Sequence, residues 1–204
     1  MRPARENPFR VDRITALGYQ PIEATWAELL DHLEAMHFCG AVVGPCGSGK
    51  TTLLDTLAGH LTQRGLRVAR LFFSVDVRPP RPEVTTVLEQ PFDVLLLDGA
   101  DHLGLLAWRR IKNAVLRRDR GLVITAHRPG RLPTWATCRT DAALLCRLVE
   151  WLLSADGPRA PACPDRAVLE GLYRRHNGNI REALRRLYDI MADGPDTSAV
   201  GPRP

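Results

Sequence analysis

The stretch Gly40-Ala41-Val42-Val43-Gly44-Pro45-Cys46-Gly47-Ser48-Gly49-Lys50-Thr51 decides the fold. Its first four residues are small or apolar, as a buried strand requires, and they run straight into a glycine-rich turn. Beyond the turn, Leu53, Leu54, Leu57, Ala58 and Leu61 recur at helical spacing to about Gln63, and Gly65 follows as a stop. Strand, turn and helix in that order place the turn's amides at a helix N-terminus, where aligned peptide dipoles attract anions. Gly47 and Gly49 can adopt the backbone angles that turn successive N–H groups inward. Residues 44–51 match G-x-x-x-x-G-K-[ST], in which the lysine reaches the outer phosphates and the last hydroxyl holds a divalent ion. The lysine is informative by itself. The chain has 28 Lys+Arg, yet only Lys50 and Lys112 are lysines, so a basic position drawn at random would almost always be Arg. The phosphate-binding set read from this stretch is Gly44, Pro45, Cys46, Gly47, Ser48, Gly49, Lys50, Thr51 and Thr52. Cys46 reads as a loop filler, or as a redox-sensitive point, since thiols at helix N-termini ionise more readily.

Further along, Val94-Leu95-Leu96-Leu97-Asp98 is an apolar strand ending in a carboxylate. An ionised group there is costly unless a cation or hydrogen bonds offset it. Mg²⁺ beside the phosphate loop would do so, which makes Thr51 and Asp98 the metal-binding pair. Leu122-Val123-Ile124-Thr125-Ala126-His127-Arg128-Pro129 is another apolar strand with a polar end. Val68 to Phe73 reads as a strand and Leu103 to Arg118 as a helix. Such alternation predicts a mainly parallel sheet covered on both faces, a three-layer α/β/α fold.

These segments resemble the P-loop NTPases, and among them the additional-strand branch of AAA+ and STAND ATPases. The resemblance covers about Thr25 to Ala192. Asp98-Gly99-Ala100-Asp101 is similar to the D-G-x-D pattern of NACHT ATPases, in which the second acid assists hydrolysis. Gly99 stands where most hydrolytic relatives have Glu, and His102 where NACHT proteins have a further acid. The resemblance therefore implies Asp101 as general base, with a surface helix cap as the plain alternative. The strand ending Thr125-Ala126-His127-Arg128 looks like a sensor 1 strand, implying a γ-phosphate sensor among Thr125, His127 and Arg128. It also resembles the histidine switch of ABC ATPases, but no LSGGQ-like signature exists. Gly178-Asn179-Ile180-Arg181-Glu182-Ala183-Leu184 resembles the start of an AAA+ sensor 2 helix, and Arg181 is the residue carried over.

The remaining organisation is read from composition. Residues 1–24 are an N-terminal arm rich in Pro and Arg, with anchors at Phe9, Val11 and Ile14. Thr25 caps a helix carrying Trp26, Leu29, Leu30, Leu33 and Met36, with Glu28 completing a capping box. The P-loop core spans 25–140. Within it, Arg78-Pro79-Pro80-Arg81-Pro82 reads as a stiff loop that belongs to neither helix nor strand. Residues 141–193 form a small C-terminal helical lid, with a Pro/Gly/Ala linker at 156–161 and a turn at His176-Asn177-Gly178-Asn179. Residues 194–204 are a disordered tail.

Five cysteines without a CxxC pair, and no His at zinc-ligand spacing, argue against a disulfide framework or structural zinc. No apolar run approaches membrane-spanning length and the start lacks a signal-peptide stretch, so a cytoplasmic protein with no membrane partner is expected. The net charge of +5 permits nucleic-acid binding without requiring it, and the basic run Arg109, Arg110, Lys112, Arg117, Arg118 reads first as a solvated face. The leading expectation is an ATPase using ATP and Mg²⁺, whose nucleotide state moves the lid and so controls a DNA or protein partner. A homo-oligomer fits that expectation, with Arg128, Arg131 or Arg139 as an arginine finger. The alternatives are a small-molecule P-loop kinase and an ATP/ADP-binding switch without turnover. A GTPase is disfavoured because N-K-x-D is absent.

Overall fold

The computed structural model describes residues 6–77, 80–155 and 161–193. They form two compact units, one of residues 19–139 and one joining residues up to 18 with those from 140 onward. In chain order the elements are α1 (Val11–Leu17), α2 (Trp26–Ala35), β1 (Cys39–Val43), α3 (Lys50–Gln63), β2 (Val68–Phe72) and α4 (Arg81–Glu89). These are followed by β3 (Val94–Asp98), a 3₁₀ turn at Ala100–His102, α5 (Leu105–Leu116), β4 (Gly121–Ala126), β5 (Thr134–Thr137), α6 (Ala142–Ser154), α7 (Arg166–Arg175) and α8 (Ile180–Asp193).

The larger unit is a five-stranded sheet in the order β2-β3-β4-β1-β5, and every pairing is parallel. Side chains alternate across a strand, so each strand feeds two cores. Leu95, Leu97, Leu122, Ile124, Ala41 and Val43 face α5 and its Trp108, Ile111 and Val115. Val94, Leu96, Val123 and Val42 face the opposite way, onto Leu30 and Leu33 of α2 and the leucine stripe of α3. Burial on both faces is why these strands are continuous apolar runs. The result is the three-layer α/β/α arrangement expected from the strand–helix alternation. The capping box at Thr25 and Glu28 is formed, with both reciprocal bonds in place.

Two expectations need correction. Arg81 and Pro82 do not lie in a loop: Pro80 caps α4, and Pro82 occupies its first turn. Proline is tolerated there because the first-turn amides have no intrahelical acceptor to lose; residues 78–79 are outside those described. The chain after Pro133 also holds a strand that spacing in the sequence does not mark. Thr134–Thr137 forms the edge strand β5 beside β1, with Trp135 buried and its indole N–H donating to Leu29 O at 2.9 Å. A Cβ on Gly40 would lie 2.6 Å from the Trp135 Cβ, so the two strands pack this closely only with glycine at position 40. Finally, the segment read as one arm divides. Residues 19–24 go with the sheet, whereas α1 joins the helical unit.

In that helical unit, Phe9 is buried among Leu145, Val149, Leu172, Leu184 and Leu187. Asn7, fully buried, accepts from the Phe9 N–H and donates to Tyr188 O at 2.8 Å. Asp141 caps α6 through the Leu144 N–H, and Asn179 caps α8 through the Glu182 N–H. The linker at 156–160 and the tail from 194 lie outside the described residues.

Gly99 turns the chain out of β3 at φ +81°, and a Cβ there would fall 1.9 Å from Phe73 O. Gly59, by contrast, sits in α3 with open space around it. Urea denaturation should show Gly99→Ala destabilising the protein by about 2 kcal/mol or more, while Gly59→Ala stabilises it by about 0.5–1 kcal/mol.

Candidate functional site

The loop after β1 leaves the sheet between β4 and β5, the two strands that flank β1. The Gly44 N–H still donates to Ala126 O at the end of β4, and the Cys138 N–H to Val43 O. A Cβ on Gly44 would meet Cys138 O at 2.5 Å and Ser48 Oγ at 2.7 Å. Ser48 is buried and donates its hydroxyl to Pro45 O at 2.9 Å, closing the loop on itself. Gly47 and Gly49 have φ of +70° and +89°, the left-handed geometry of an anion nest. Gly49 O accepts the first helical bond of α3, from the Leu53 N–H. Lys50 arches back over the loop and donates to Gly44 O and Pro45 O, both at 2.8 Å. Burial lowers its pKa, opposed by nearby Cys46, Cys138, Asp98 and Asp101. An anion placed at the loop would restore the charge that burial disfavours.

Asp98 ends β3 beside this loop. Its Oδ2 accepts from Thr51 Oγ1 at 2.8 Å and its Oδ1 from Thr125 Oγ1 at 2.5 Å. A hydroxyl and a carboxylate this close are hard oxygen donors, suited to a small divalent cation that keeps several waters. Among the described residues, no cluster of three or more His, Cys, Asp or Glu could hold a metal ion.

Thr125 is 1% exposed, and its oxygen also accepts the Gly99 N–H at 2.7 Å. It therefore braces the strand end rather than reaching outward. His127, two residues on, is exposed; its ring Nδ1 lies 3.0 Å from Asp101 Oδ2, which also accepts the His127 N–H. Its Nε2 lies 3.6 Å from Cys46 Sγ. Arg128 and Arg139 are exposed, whereas Arg131 donates to Leu103 O and stacks on Trp108. In the other unit, Arg181 is exposed in the first turn of α8.

Tyr19 is a neighbour that sequence reading missed. Its ring lies 3.7 Å from the Cβ position of Gly49, its N–H donates to Thr56 Oγ1, and burial raises its hydroxyl's pKa. No local signal marks it, because it lies far from the loop in sequence and touches it only through the fold.

The central strand inserted between β1 and β3 is the deciding observation, because it separates the phosphate loop's strand from the strand bearing Asp98. The fold is that of an additional-strand P-loop NTPase. Solved structures agree in fold. Similarity extends to a DNA replication initiation factor (TM-score 0.59, 16% identity, 83% of this chain against 60% of that one). A replication initiator DnaA bound to AMPPCP and single-stranded DNA gives TM-score 0.59 at 14% identity, over 91% of this chain and 66% of that one. The Thermotoga maritima RuvB Holliday junction branch migration motor gives 0.58 at 20% identity, over 91% and 65%. This chain thus spans between 60% and 66% of the length of those proteins. No protein-family model matches the sequence, and no curated protein matches it. Among the described residues, no helix is long and apolar enough to cross a membrane.

Replacing Thr125 by Val would keep the shape but strand the Gly99 N–H and remove one donor to Asp98. Thr125→Val is expected to cost about 1–3 kcal/mol in urea denaturation, with Thr125→Ser retaining most of the stability.

Proposed function

We propose that this chain binds ATP with Mg²⁺ at the phosphate loop and hydrolyses it, the nucleotide state acting on a partner through the helical unit. One observation carries the reading: Lys50, Thr51 and Asp98 meet at the mouth of a loop whose backbone forms an anion nest. The donor set fits the ligand. The amides of Gly47 to Thr51 and the positive end of α3 suit a triphosphate, and the Thr51 hydroxyl with the Asp98 carboxylate suits Mg²⁺. When bound, the ion would draw charge from the outer phosphates. Lys50 would leave the carbonyls of Gly44 and Pro45 for those phosphates.

Asp101 is proposed as the general base. Both of its bonds to His127 fall on Oδ2, and Oδ1 is the oxygen that would take a proton from water. His127 would hold the carboxylate in place, and Arg128 is carried as a γ-phosphate sensor. Arg181 is carried as the nucleotide-responsive residue of the helical unit, by resemblance alone. The NACHT-like reading of Asp98-Gly99-Ala100-Asp101 belongs here too, as do cytoplasmic location, self-assembly and a DNA partner. The last is suggested by the DNA named for the structural neighbours and by the net positive charge.

A phosphotransferase is the second reading, and one observation favours it. A cavity of about 400 Å³ between α3, β2 and the start of α4 opens beside Thr51 and Asp98, with Asp55, Arg70 and Glu83 on its walls. Transfer of labelled phosphate from ATP to a small acceptor, rather than to water, would establish it.

Thermal melts with and without Mg-ATP test the binding claim. The wild type should melt several degrees higher with nucleotide, whereas Lys50→Met should lose that shift yet melt no lower without nucleotide, because its half-buried charge is gone. A Lys50→Met protein that still responds to Mg-ATP would end the proposal. For turnover, Asp101→Asn should keep the thermal shift while phosphate release falls about a hundredfold; unchanged release would remove Asp101 as the base.

A further inference from the structure

Cys46, His127 and Asp101 stand in line at the loop. The Cys46 thiol is exposed and its Sγ lies 3.6 Å from His127 Nε2, while Nδ1 of the same ring lies 3.0 Å from Asp101 Oδ2. An ionised carboxylate only accepts, so Asp101 assigns the ring proton to Nδ1 and leaves Nε2 facing the sulfur. The Asp101 carboxylate is itself fixed by the His127 main-chain N–H. Nucleophile, base and orienting acid thus follow one another in the order a reactive thiol needs.

Other charged and titratable groups lie around this row. Lys50, in the first turn of α3, lies close enough to interact electrostatically with Cys46, and the N-terminal end of α3 is positive. His102, after β3, sits edge-on to His127 with ring centroids 6.5 Å apart, and Arg128, the residue after His127, is exposed. Asp101 is the carboxylate in contact with the His127 ring. Cys138 is buried against Tyr19, and burial pushes its thiol up, as it does those of Cys146 and Cys163.

We propose that Cys46 is a site of reversible thiol–disulfide exchange with low-molecular-weight disulfides. The Sγ proton passes to His127 Nε2, and the thiolate attacks one sulfur of the disulfide. The S–S bond breaks as a new one forms to Cys46, and the departing thiolate takes the proton from the imidazolium and leaves as a thiol. The protein is oxidised to a mixed disulfide, one thiol equivalent is released, and a second thiol reverses the reaction. Asp101 is a positioning residue in this step. The attached group would stand between Gly44 and Gly49, where phosphates would bind. That consequence rests on the nucleotide reading, whereas the thiol chemistry does not.

The experiment treats the full chain with glutathione disulfide and follows each cysteine by intact mass and peptide mapping. At about pH 6.5, Cys46 should react about tenfold faster than exposed Cys163, and His127→Ala or His127→Gln should slow Cys46 about tenfold. The difference between wild type and the His127 variants at Cys46 should close at about pH 9, where hydroxide replaces imidazole as the base. Equal rates at Cys46 and Cys163, or an unchanged rate at Cys46 in a His127 variant that circular dichroism shows folded, would overturn the proposal. Mg-ATP melts of treated and untreated protein separate the two claims. A nucleotide shift lost on treatment and regained with dithiothreitol supports blocking of the loop, and a shift that survives full modification refutes it. Untreated protein with no nucleotide shift defeats the nucleotide reading while the reaction rates still judge the thiol.

Discussion

Asp98 accepts hydrogen bonds on both carboxylate oxygens, from Thr51 on α3 and from Thr125 on β4. Bonds of this kind, to a charged acceptor in a partly buried setting, are worth about 1.5–3 kcal/mol each. Their geometric consequence matters more than their energy. The end of β3, the first turn of α3 and the end of β4 are pinned to one point, and the phosphate loop, stretched between β1 and α3, must end there. The Gly99 N–H donating to Thr125 adds a second tie at the same corner.

Parallel strand order explains why such a corner exists. All five strands point the same way, so their C-terminal ends lie on one edge of the sheet and every turn that follows them opens on that edge. β4, inserted between β1 and β3, brings Thr125 against Asp98 and carries His127 at its end. Its position also lets the turn after β3 reach across, so that Asp101 meets His127 and His127 meets Cys46. Three separate turns are thereby joined by hydrogen bonds. A change at any one of them would be felt by the other two.

The same economy appears in the helical unit, where a short N-terminal segment is held by buried Asn7 and Phe9 rather than by a long helix. A polar anchor whose amide serves both Tyr188 O and the Phe9 N–H fixes the register of that segment. Apolar contact alone would leave it free to slide.

By itself, the sequence determined the elements whose signals are local. The apolar runs of β1, β3 and β4, the leucine stripe of α3, the Thr25–Glu28 capping box and the phosphate loop all depend on residues close in sequence, so spacing reveals them. The positions of Lys50 and Thr51 at the start of α3, and of Asp98 at the end of β3, were legible for the same reason. Tertiary structure alone decided the rest. Thr134–Thr137 is too short and too ordinary to read as a strand until β1 supplies its hydrogen bonds, and Pro80-Arg81-Pro82 looks unstructured until the helix it begins is seen. Whether Thr125 points outward or braces Asp98 depends on which strand lies beside it. Tyr19 at Gly49, and the row of Cys46, His127 and Asp101, depend on contacts between segments distant in the chain, which no local pattern encodes.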